Sequence, residues 1–77
     1  MKIFSFYKIE RIKKLKFLKI KIIKEIQKNN IKGLVILSKE GINATIAGNS
    51  KDISNIVKYI KLILNIKKFD IENTTYS

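Results

Sequence analysis

Cysteine, histidine, proline and tryptophan are absent from these 77 residues, glycine occurs three times, and only six residues are Asp or Glu against seventeen Lys and Arg. Without cysteine there is neither a disulfide staple nor a thiolate nucleophile. Without cysteine and histidine together, a zinc site of the usual kind and imidazole or thiol catalysis are excluded. No apolar run approaches the ~18–20 residues that span a bilayer. The opening stretch, Met1 to Lys8, is too brief and too soon charged for a signal peptide. The chain is expected to have no membrane attachment and a cytoplasmic location, and no metal, cofactor or catalytic residue is expected within it.

What is present is charge and isoleucine. The formal net charge is +11. Basic chains of this kind often bind nucleic acid. Yet Ile, Lys and Asn number 17, 16 and 7, so three residue types make up 40 of 77 positions. Their codons are rich in A and T, and part of the charge can reflect genome composition on a solvated surface. A selected anion-binding surface is the other reading. The length supports one domain, which buries only roughly 60–65% of its unfolded surface.

Hydrophobic periodicity orders the chain. Residues 3 to 9 are β-branched and aromatic and read as a strand. Residues 11 to 29 read as a helix with Leu15, Leu18, Ile22, Ile23 and Ile26 on one stripe. Lys19 intrudes on that stripe, Phe17 and Ile20 fall outside it, and Asn29-Asn30 supplies a stop. Residues 33 to 38 form a short apolar strand, residues 39 to 42 a turn, and residues 43 to 48 an antiparallel third strand. A second helix follows, capped by Asn49 or Ser50, with Asp52 in its first turn. Its apolar stripe is Ile53, Ile56, Val57, Ile60 and Leu64. Residues 69 to 76 read as a polar last strand with Ile71 as its main apolar contact. The order β-α-β-β-α-β predicts an α+β, ferredoxin-like two-layer sandwich with a four-stranded antiparallel sheet.

One expectation goes beyond topology. The exposed face of such a sheet is normally polar. Here strand one sets Ile3, Tyr7 and Ile9 opposite Phe4 and Phe6, and strand two sets Leu34 and Ile36 opposite Val35 and Leu37. Both faces are apolar. Either loops and side chains of this chain form a third layer, or a separate domain or partner chain covers the second face.

The stretch Gly33 to Gly48 is the most distinctive. Phe6-Tyr7-Lys8, Lys32-Gly33, Glu40-Gly41-Ile42-Asn43, Thr45-Ile46-Ala47-Gly48 and Phe69 together resemble the N-terminal domain of the rhodanese-domain tRNA uridine 5-hydroxylases. The resemblance covers essentially the whole chain. It implies an acylphosphatase-like ferredoxin fold over residues 1–77 as a single domain. It also implies a process: members of that family hydroxylate the wobble uridine of tRNA at C5 with molecular oxygen, using a following rhodanese domain with an active-site Cys. No Cys stands here, so the chain is expected to be inactive alone, a truncated or split form lacking the rhodanese domain. The last strand departs from the family pattern, with Asn73-Thr74-Thr75 where a Lys is usual. The implied partners are tRNA and a rhodanese domain, or another chain, on the apolar second face. The alternatives are a non-enzymatic basic RNA-binding or protein-interaction module, or a gene remnant without function.

The candidate RNA-binding or domain-docking residues are Tyr7, Lys8, Lys32, Lys39, Glu40 and Asn43, and the glycines expected to serve turns are Gly33, Gly41 and Gly48. Gly41 and Asn43 can equally be explained by turn geometry alone. A lone carboxylate at Glu40 makes no acid/base pair. The third strand has no aromatic residue, which excludes the paired aromatic platform of RNA-recognition motifs. True acylphosphatase chemistry is excluded because the only Arg, Arg11, follows no Gly-rich loop.

Overall fold

A computed structural model describes residues 1–77. The elements run β1 (Lys2–Ile9), α1 (Leu15–Lys28), β2 (Lys32–Ser38), β3 (Gly41–Gly48), α2 (Ser50–Leu64) and β4 (Ile71–Tyr76). The strands form one antiparallel sheet in the order β2-β3-β1-β4. This is the predicted ferredoxin-like arrangement. No helix is long and apolar enough to cross a membrane.

Alternation along the strands decides which side chains meet the helices. Phe4 and Phe6 of β1, Leu37 of β2, and Ile42, Ala44 and Ile46 of β3 point to one side and are buried. Ile22 of α1 and Ile53, Ile56 and Ile60 of α2 close over them. Phe69, just before β4, stacks on Phe6 with ring centroids 4.1 Å apart. Phe69, and not Ile71, is thus the apolar anchor of the last segment. Ile71 pairs across from Tyr7 and so lies on the open side, 64% exposed.

The helix termini follow from polar chemistry. Asn49 caps α2, its Oδ1 accepting from the Asp52 N–H at 2.8 Å. Asn65 ends that helix in the left-handed conformation, and Asn30 adopts the same conformation after α1. The start of α1 departs from the predicted residue 11. The chain before it runs along the β2–β3 turn: Glu10 N–H donates to the Glu40 carbonyl and Ile12 N–H to the Lys39 carbonyl, at 3.1 and 3.0 Å. Ile12 is buried by this path, and no Ser, Asp or Asn stands there to cap an earlier start. The stripe on α1 is also narrower than expected. Ile22 is buried, Leu15, Leu18 and Ile26 are partly buried, and Ile23 is 52% exposed. Ile23 follows Ile22 by about 100° round the helix, which carries it off the sheet.

No third layer of this chain covers the second sheet face. Leu34, Ile36, Tyr7, Ile9 and Ile71 all stand exposed on it.

Candidate functional site

In register across the sheet, the open face is built from rows. One row is Leu34, Thr45, Ser5 and Asn73, and the next is Ile36, Asn43, Tyr7 and Ile71. A polar strip therefore runs down the middle of an apolar surface. Ser5 and Thr45 satisfy each other through a 3.1 Å hydroxyl hydrogen bond.

The structure brings together three of the six candidate residues. Tyr7, Glu40 and Asn43 line a shallow depression of about 110 Å3 with Ile36 and Ser38. Tyr7 and Asn43 are directly opposed between β1 and β3. The Glu40 N–H donates to Ser38 Oγ at 3.2 Å, which tightens the two-residue turn. Gly41, at φ +150°, is required here because a Cβ would overlap the Lys8 carbonyl oxygen. The β2–β3 turn is thereby pressed onto the end of β1.

The other three candidates go elsewhere. Lys39 is exposed at the turn, and its carbonyl holds Ile12. Lys32 opposes Ala47, about 13 Å along the strands from the Tyr7 row. There it borders a separate hollow of about 550 Å3 with Lys2, Asn30, Asn49, Ser50 and Tyr76. Lys8 alternates to the helix side, where its Nζ is 3.3 Å from Asp70 Oδ1. Of the other glycines, Gly33 lies within β2, where a Cβ would overlap the Thr45 carbonyl oxygen, and Gly48 ends β3 beneath Ile31. Both are strand residues rather than turn residues, held by close approach of neighbouring atoms.

Asp70 carries a structural role that the sequence did not announce. Its Oδ2 accepts from the Ile9 N–H at 2.8 Å, and its own N–H donates to the Tyr7 carbonyl at 2.8 Å. The Ile9 N–H holds its carboxyl below the usual carboxylate range; partial desolvation opposes this, and Lys8 adds a smaller lowering. Asp70 therefore fastens the start of β4 to β1. No local pattern could reveal it, because its side-chain partners lie 61 and 62 residues away.

Charge is divided sharply between the layers. Thirteen of the seventeen basic residues fall between Arg11 and Lys28 or between Lys51 and Lys68, against two carboxylates, Glu25 and Asp52. The four remaining basic residues are matched by the four remaining carboxylates, Glu10, Glu40, Asp70 and Glu72. The whole net charge thus belongs to the helical segments and their approaches. The open sheet face has an anion-attracting side chain only at its margin, Lys32.

Comparison with known proteins agrees with this architecture. A family model described as the UPF0176 acylphosphatase like domain matches residues 1–77. The tRNA uridine(34) hydroxylase of Pelagibacter ubique (strain HTCC1062) is 44% identical over 75 residues, covering 97% of this chain and 25% of that protein. The tRNA uridine(34) hydroxylase of Bartonella bacilliformis is 50% identical over 34 residues, covering 44% of this chain and 11% of that protein. The chain spans about a quarter of the length of the Pelagibacter relative.

Proposed function

This chain belongs to the UPF0176 acylphosphatase-like domain family, and from that membership we propose that it acts as the N-terminal domain of a tRNA wobble-uridine hydroxylase-type protein. In this reading the helical layer helps position tRNA, and the open sheet face docks a rhodanese domain. Oxygen insertion falls to that second domain, since this chain offers no thiol. A cytoplasmic location goes with the reading.

The observation that carries it is the division of charge. A polyanion needs closely spaced cations, and the helical segments carry all of the +11. Neutralising phosphates there releases condensed counterions, which gives affinity without base specificity. A folded protein domain needs an apolar, weakly charged surface, and the sheet face supplies Leu34, Ile36, Tyr7 and Ile71. The two tasks use opposite sides of one 77-residue sandwich, so both partners can be held at once.

The test is a titration of the full chain with tRNA, followed by fluorescence anisotropy across a range of salt. The expected log-affinity against log-salt slope is steeper than about −3, the signature of several phosphates contacted. A slope near zero removes the tRNA role.

A further inference from the structure

Three of the four phenylalanines, Phe4, Phe6 and Phe69, pack on one another in the core. The fourth, Phe17, stands 57% exposed on α1. Helical geometry sets Phe17, Lys21, Lys24 and Lys28 in one stripe, at i, i+4, i+7 and i+11, running about 16 Å down the helix on the side away from Ile22. The Lys21 Nζ lies 5.2 Å from the Phe17 ring centroid, within cation–π range. Ile20, 55% exposed, extends the apolar spot beside the ring. Lys28 pairs with Glu25 at 3.5 Å, and no carboxylate pairs with Lys21 or Lys24.

A large apolar ring in water is unfavourable, and the unpaired ammonium groups of Lys21 and Lys24 beside it disfavour an apolar protein surface as the cover. The partner that fits both features is a polyanion with flat aromatic groups. We propose that Phe17 is a stacking platform for an unpaired base of RNA, with Lys21, Lys24 and Lys28 taking the flanking phosphates. Base–aromatic stacking tolerates any base, because every base has a π face. A continuous duplex hides those faces, so the site selects single-stranded loops or ends over paired RNA. The inference rests on the tRNA reading above and makes it specific: the helical layer meets tRNA where its bases are unpaired.

The chain has no Trp, so Phe17→Trp places one fluorophore at the site and keeps an aromatic platform. Its emission is expected to be quenched by a short single-stranded RNA and not by a duplex of equal length. Phe17→Ala is expected to weaken single-strand binding about tenfold, while leaving duplex binding and the salt slope unchanged. Retained duplex binding and far-UV circular dichroism show that the variant is folded. Wild-type affinity for the single strand in Phe17→Ala overturns the stacking site while the tRNA reading stands. Absence of salt-dependent tRNA binding by the wild type takes down both. A Phe17→Trp signal that follows phosphatidylglycerol vesicles and ignores RNA overturns the proposal in favour of a lipid surface.

Discussion

The two faces of this domain are made from the same small alphabet and behave oppositely. On the helical side, Lys and Arg surround the few outward apolar groups. On the open sheet side, Leu34, Ile36, Tyr7, Ile9 and Ile71 are exposed around the Ser5–Thr45 and Asn43 strip, with little charge among them. A genome rich in A and T raises both Ile and Lys, yet such a bias has no preference for side. Folding explains why Ile22, Ile53, Ile56 and Ile60 leave the helical exterior for the core, while Ile20 and Ile23 stay half exposed outside it. It does not explain isoleucines on a sheet face that no part of this chain covers. An apolar face of several hundred Å2 is the mark of an interface, and a one-sided basic layer is the mark of a polyanion partner. The lesson is that a charge of +11 taken over the chain describes one side of it only.

The largest effect should come from the seam that joins the faces. Ile56 is fully buried between α2 and the sheet. Ile56→Ala should cost about 2–5 kcal/mol, a large part of the ~4–11 kcal/mol that a domain of this size commands. Urea unfolding followed by circular dichroism checks it, and an unshifted midpoint would mean that the layers are not coupled through this seam. Gly41→Ala comes next, at about 1–3 kcal/mol, because the turn must lift from β1 to relieve the overlap with the Lys8 carbonyl. The same measurement reads it, and tRNA affinity in the folded fraction should be unchanged.

Substitutions confined to one face sharpen the contrast. Leu34→Thr with Ile36→Thr keeps strand propensity and should move stability by no more than about 1 kcal/mol. It should lower binding of an apolar-surface dye and abolish co-purification with a rhodanese domain, with the tRNA salt slope unchanged. Lys21→Gln with Lys24→Gln should do the reverse: the slope falls by about 0.7–0.9 per lysine, and dye binding and docking stay as they were. If either pair of changes affects both readouts, the two faces are not independent.

The architecture was legible because period-2 and period-3.6 patterns are local. The stripe on α2, the Asn49 cap and the apolar second face of β1 and β2 could all be read from neighbours in sequence. Other features could not. The late start of α1 depends on backbone bonds to a turn 27 to 30 residues further on. The exposure of Ile71 depends on its register with Tyr7 and on β4 lying at the sheet edge. The candidate residues belong to sequence motifs, and a motif does not specify strand parity. Tyr7 and Asn43 share a face, whereas Lys8, one residue along, points to the other. The two basic segments are visible in the sequence, but that they fall on one side follows only from both helices packing on the same face of the sheet.

The smallest expected effect comes from the seam between β1 and β4, at the one ion pair with a structural task, which lies on the helix side of the sheet. Asp70 is exposed, so its contribution is modest, but its carboxylate receives the Ile9 N–H and faces Lys8. Its folded-state pKa lies below the ordinary carboxylate value of about 4. A group shifted in that direction adds stability at pH above its unfolded value, and the gain fades as pH falls through the lowered folded value. Urea midpoints measured from neutral pH to about pH 2 should therefore fall less steeply in Asp70→Asn than in the wild type. The variant should be the weaker of the two at neutral pH, and the curves should converge at the acid end. Raising salt should leave most of this difference in place, because the first cause of the shift is a fixed backbone N–H rather than the screened Lys8 charge. A difference that vanishes in salt would show that the ion pair, and not the backbone clasp, holds β4 to β1.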